Sequence, residues 1–74
     1  MAWLRLEKQE GMYEGAAQYN GICEEDDDLT ADSTNGYSEF NGSRIVQGSG
    51  SAAYCLEDGQ AYIKKADKSW GVGV

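Results

Sequence analysis

Alternation of apolar and polar positions with a period of two is clearest at the C-terminal end of the chain. Ser51-Ala-Ala-Tyr-Cys-Leu56 and Gln60-Ala-Tyr-Ile-Lys-Lys-Ala66 flank Glu57-Asp58-Gly59. A two-residue turn at Asp58-Gly59 pairs Leu56 with Ala61, Cys55 with Tyr62 and Tyr54 with Ile63, since both turn residues tolerate positive φ. A further turn at Asp67-Lys68 pairs Lys65 with Trp70, Ile63 with Val72 and Ala61 with Val74. Successive strand side chains point to opposite faces. One face therefore collects Tyr54, Leu56, Ala61, Ile63, Trp70, Val72 and Val74, and the other Cys55, Tyr62, Lys64, Gly71 and Gly73. Two independently chosen turns thus give one apolar face, which predicts a three-stranded antiparallel meander over about 51–56, 60–66 and 69–74.

Toward the N-terminus the pattern thins. Trp3, Leu4 and Leu6 suggest a short first strand, with the chain turning around Gly11 and Gly15. Residues 16–19 and 21–23 fit a second short strand, although Ala16 and Ala17 also suit a helical turn. Residues 28–33 read either as one turn of helix or as acidic loop. Tyr37, Phe40, Ile45 and Val46 are the anchors that tie the middle of the chain to the meander. The dipeptides Asn20-Gly21, Asn35-Gly36, Asn41-Gly42 and Asp58-Gly59 all read as tight turns. Turn signals at that density leave room only for short strands. The expected fold is an all-β or β-rich small domain: the C-terminal meander, short N-terminal strand(s) and a long acidic loop.

Composition sharpens this picture. Seventy-four residues form one small domain, 1–74. Leu, Ile, Val and Phe number 11, a share close to that of disordered chains, but two Trp and five Tyr restore apolar area. A chain of this length buries only about 60% of its unfolded surface, so its core is thin. The net charge of −7 is uneven. Residues 1–43 set ten carboxylates against Arg5 and Lys8, whereas residues 44–74 set Glu57, Asp58 and Asp67 against Arg44, Lys64, Lys65 and Lys68. The domain divides into an acidic portion, 1–43, and a meander portion, 44–74. No apolar run approaches the ~18 residues of a membrane span, and no basic segment precedes an apolar one. Neither a transmembrane segment nor a signal peptide is expected.

The absence of His removes imidazole-based triads and HExxH zinc sites. A cysteine nucleophile would need a cationic or imidazole neighbour to form its thiolate, so no enzyme and no cofactor are expected. Cys23 and Cys55 lack CxxC spacing. A disulfide between them would stabilise so small a domain by roughly 3–4 kcal/mol, while a bacterial cytoplasm would keep them as part-buried thiols. Lys64 and Lys65 read as charges that discourage edge pairing, and Tyr62 as a ring covering Gly73.

Glu24-Glu25-Asp26-Asp27-Asp28 is the loudest local feature. Adjacent carboxylates repel, so they stay solvated or meet a cation. Counting Asp28 as position 1 of a calcium loop puts Thr30 and Asp32 at positions 3 and 5 and Glu39 at position 12. Ser33 stands where such a loop needs Gly, and no amphipathic helices flank it. Asp28, Asp32 and Glu39 are thus candidate ligands of a low-affinity calcium-binding module at most. A second reading is nucleic-acid mimicry, in which the acidic patch occupies a basic groove of a host nuclease or defence protein. Direct nucleic-acid binding is not expected of a chain that repels phosphate.

The segment Gly50-Ser51-Ala-Ala-Tyr54-Cys-Leu-Glu-Asp58-Gly59-Gln-Ala-Tyr62-Ile63, followed by a polar stretch and Ser69-Trp70, resembles the C-terminal ends of small structural proteins of tailed phages and prophages. There a strand, a Gly turn and a Tyr-bearing strand precede a terminal Trp strand. The likeness covers about the last 25 residues, and this chain lacks the Thr that stands before the turn Gly in that pattern. It implies a non-enzymatic virion-associated protein, such as a head decoration, head fibre or tail component, made in the bacterial cytoplasm and located in the virion. It implies capsid or tail proteins and further copies of the chain as partners. Aromatic side chains dominate interface energetics, which makes Trp3, Tyr62 and Trp70 the expected assembly anchors.

Overall fold

The structure, a computed structural model, describes residues 2–73. β1 (Trp3–Tyr13) and β2 (Ala16–Cys23) form an antiparallel hairpin. Glu14 and Gly15 close it with φ of 50° and 82°, both positive as a type I′ turn requires. β1 is longer than the short strand expected. Between the pairs Trp3–Cys23 and Arg5–Ile22 it carries one extra residue, Leu4. This bulge leaves Leu4 half-exposed and lets both Trp3 and Leu6 face the core. The expected turn at Asn20-Gly21 does not form; Gly21 lies inside β2, opposite Leu6. A Cβ there would stand 2.9 Å from the Trp3 ring and 2.9 Å from the Arg5 carbonyl oxygen, so glycine serves close packing at this position.

After β2 the chain forms α1 (Asp26–Asn35), then a small hairpin of β3 (Ser38–Phe40) and β4 (Ser43–Ile45). Gly36 ends the helix in the left-handed region, donating its N–H to the Asp32 carbonyl at 2.8 Å. Asn41 and Gly42, both at positive φ, close the small hairpin as expected. β5 (Ala52–Cys55) then pairs parallel with β2, and β6 (Gln60–Lys64) and β7 (Trp70–Val72) follow antiparallel. The sheet order is β1-β2-β5-β6-β7. A parallel pair needs a long crossover, and α1 with the small hairpin supplies it.

The protein is thus β-rich, and the C-terminal meander is in place. The acidic run, however, is not a loop. Glu25 is the helix N-cap and Asp26, Asp27 and Asp28 form the first turn of α1. The positive end of the helix dipole favours carboxylates there, which offsets their mutual repulsion.

The meander also differs in register. A four-residue connection, Leu56–Gly59, pairs Cys55 with Gln60 and Tyr54 with Ala61, two residues away from the expected register, so the faces are unchanged. The connection from Lys65 to Ser69 has five residues and pairs Lys64 with Trp70. This one-residue slip moves Trp70 to the opposite face. The face that packs inward therefore carries Ala53, Cys55, Tyr62, Lys64 and Trp70. Tyr54 and Ile63, expected on one apolar face, do share a face, but it is the outer one, and they are 44% and 41% exposed. Val74, assigned to the same apolar face, lies outside the described residues. Ile63, rather than Tyr62, lies against Gly73.

The core consists of Trp3, Cys23, Leu29, Ala53 and Cys55, with Leu6, Phe40, Tyr62 and Trp70 packed against it. The Trp3 and Trp70 rings meet at 6.1 Å between centroids, tilted by 42°.

Candidate functional site

Two polar clusters occupy the helix-covered side of the sheet. The first is buried. Lys64, only 3% exposed, extends from β6 and donates to Asp32 Oδ2 at 2.7 Å. Trp70 Nε1 donates to the same oxygen at 3.0 Å, and Ser38 Oγ donates to Asp32 Oδ1 at 2.7 Å. Gln47 Nε2 in turn donates to Ser38 Oγ at 2.9 Å, while Gln47 Oε1 is buried without a partner. Lys64 also lies 5.7 Å from the centre of the Trp70 ring, within cation–π range. The Lys64 side chain is therefore an internal ion-pair partner and not an edge charge. Taking two ions out of water is costly, and the hydrogen bonds that Asp32 accepts from Lys64, Trp70 and Ser38 offset that cost.

The second cluster stands at the N-terminal end of α1. The connection between β5 and β6 folds against the start of the helix, with Leu56 N–H donating to the Cys23 carbonyl and Glu57 N–H to the Glu24 carbonyl, both at 3.0 Å. Asp26 N–H donates to Glu57 Oε1 at 3.0 Å, and the Cys55 thiol donates to Asp26 Oδ1 at 3.2 Å. Tyr62 OH donates to Asp58 Oδ2. The ligand atoms of Asp26, Cys55 and Glu57 lie within 4.8 Å of one another. Glu57 and Asp58 thereby join Glu24, Glu25, Asp26, Asp27 and Asp28 at one end of the molecule.

Proton affinities follow this geometry. The Tyr62 hydroxyl holds the Asp58 carboxyl below its ordinary value, and Asp58 raises the tyrosine in return. The Cys55 thiol pulls Asp26 down, but sharing with Asp58, desolvation and the charges of Asp58 and Glu57 outweigh it and leave Asp26 raised. Burial, followed by the hydrogen bond to Asp26, pushes the Cys55 thiol up. Burial and then the charge of Cys55 push Cys23 up further. Both shifts oppose the thiolate that a cysteine nucleophile requires.

The residues singled out from the sequence are distributed as follows. Trp3 is buried and Trp70 half-buried, and the two rings pack on each other in the core, so neither presents its ring freely to a partner. Tyr62 is half-buried at the acidic end. Asp28 and Glu39 both border a groove of about 270 Å³ with Asp32. No calcium loop forms there, because Asp28 and Asp32 belong to a continuous helix. Asp28 caps the helix by accepting from Glu25 N–H at 3.0 Å, and Asp32 holds Lys64. A larger groove, about 320 Å³, runs between α1 and the β6–β7 pair, bordered by Asp26, Leu29, Thr30, Tyr62, Ser69 and Trp70.

Sequence reasoning missed Lys64, Asp32, Ser38 and Gln47 as one network. The only signal was a lysine placed on the same face as Cys55 and Tyr62. No protein family, curated protein or solved structure matches the chain. Among the described residues no helix is long and apolar enough to cross a membrane.

Proposed function

We propose that this chain is a non-enzymatic assembly component of a tailed-phage or prophage particle, acting through protein–protein contacts in which its first neighbour is a second copy of itself. The observation that carries the reading is the uncovered face of the five-stranded sheet. The helix and the small hairpin pack on one side only. The other side presents Ile22, Tyr54, Ala61 and Ile63 in adjacent strands, with Leu56 exposed at the end of β5. A standard interface takes about 800 Å² from each partner, less than a fifth of the 4502 Å² surface of this chain. Alternation along β1 puts Arg5 and Glu7 on that face, one of each sign, which suits a self-complementary twofold contact. The phage-like pattern of the last 25 residues adds the class of particle.

Light scattering after gel filtration tests this. The wild-type chain is expected to gain mass with concentration, and Ile63→Lys to remain monomeric with an unchanged melting temperature. A wild-type chain that stays monomeric at millimolar concentration overturns self-assembly.

A second reading draws on the acidic end, where seven carboxylates stand together: Glu24 and Glu25 before α1, three in its first turn, and Glu57 and Asp58 of the β5–β6 connection. It is that of a decoy for a basic nucleic-acid groove. Capture of a host nuclease that is lost when Asp26, Asp27 and Asp28 become Asn would favour it over assembly.

A further inference from the structure

We propose that Cys23 and Cys55 are a cross-strand disulfide site that locks the N-terminal hairpin to the C-terminal meander. The two residues are direct register partners on β2 and β5, the only parallel pair among the described residues. Both side chains turn to the helix-covered face and both are fully buried in the same cluster. Neighbouring strands lie about 4.8 Å apart, inside the Cα range of about 4.4–6.8 Å that a disulfide spans. Bridging therefore asks for side-chain rotation without strand movement. The thiols are free in the structure.

The oxidant belongs to the class of low-molecular-weight disulfides, of which oxidised glutathione is the probe. One cysteine sulfur attacks the glutathione S–S bond, expelling one glutathione thiolate and leaving a mixed disulfide. The second cysteine sulfur then attacks the protein-bound sulfur and releases the other glutathione. Two electrons pass from the cysteine pair to the glutathione disulfide, and the two thiol protons end on the two released thiols. Asp26, which accepts the Cys55 thiol hydrogen, marks where one proton leaves. Because the thiols are buried, attack waits for the acidic end to open, and reduction is equally slow.

The experiment separates geometry from access by refolding the chain from urea in glutathione buffers over a range of redox ratios. Free thiols and mass are then counted, and the series is repeated with the chain kept in urea. The folded chain is expected to form the intramolecular bond about 500-fold more readily than the unfolded one, the factor by which closing a loop of this length stabilises the fold. The oxidised form should be monomeric, two hydrogens lighter, and melt roughly 15 °C higher than the reduced form. Cys55→Ser, which keeps the reduced fold, should show neither change. Equal redox equilibria in the two series, or mixed glutathione adducts in place of the internal bond, would overturn the proposal. The outcome does not depend on whether the chain assembles.

Discussion

Asp32 accepts from an ammonium, an indole and a hydroxyl at once, in a domain whose apolar core is thin. Removing one partner of such a pair leaves an uncompensated charge, which costs about 3–5 kcal/mol. That is comparable to the whole stability of a domain this small. Lys64→Met should therefore unfold most of the population, as read by urea denaturation and near-ultraviolet dichroism. The double change Lys64→Met with Asp32→Asn should restore part of the loss, since it removes the unpaired charge and leaves an amide oxygen that can still accept from the Trp70 indole or the Ser38 hydroxyl. If the double variant is no better than the single one, the charge pair is not what Lys64 contributes. Beyond the placing of Lys64 on the face of Cys55 and Tyr62, none of this was legible in the sequence. A lysine in an alternating strand reads as a solvent charge, and the residue that draws it inward lies 32 positions away.

At the scale of elements, the meander was readable and its facing was not. Strand and turn residues in 51–73 specify three short strands, but a connection of odd length inverts the last strand, and loop length is the least visible quantity in a sequence. The helix α1 was hidden for a different reason. Its ten residues contain only Leu29 and Ala31 as apolar side chains, so no period of 3.6 appears. It is held instead by acidic residues at its first turn, by Gly36, and by Leu29 and Asp32 reaching the sheet.

The docking of α1 on the β5–β6 connection should also respond to pH through two carboxyls of opposite sign. Asp58 is lowered in the fold, so its contribution is present above the unfolded pKa and disappears as pH falls through the native one. Asp26 is raised, so its contribution is present below the unfolded pKa and disappears as pH rises through the native one. Carboxyl-detected NMR titration should show midpoints displaced in opposite directions. Tyr62→Phe should return Asp58 upward toward an ordinary carboxylate. An unchanged Asp58 midpoint in that variant would remove Tyr62 as the cause.

For the molecule as a whole, the core draws Trp3 and Cys23 from the N-terminal hairpin, Leu29 from the helix, and Ala53 and Cys55 from the meander. No segment has enough apolar surface to fold alone. Native-state hydrogen exchange should therefore give the β2 and β5 amides the same opening free energy, equal to that of global unfolding. A lower value for either strand would indicate a separable unit. The parallel junction between these strands was not legible, since it depends on where a 28-residue excursion returns the chain, and no local pattern encodes that.

The same junction has a consequence for biosynthesis. Cys55 leaves the ribosome 32 residues after Cys23, a delay of about 2–6 s at ordinary translation rates. Throughout that interval the inner margin of β2 is an unclaimed row of amides and carbonyls, able to accept any extended strand nearby. Nascent chains on one messenger are therefore most prone to pair wrongly with each other before the fifth strand is made, and slowing translation between codons 24 and 52 should increase aggregation of this protein.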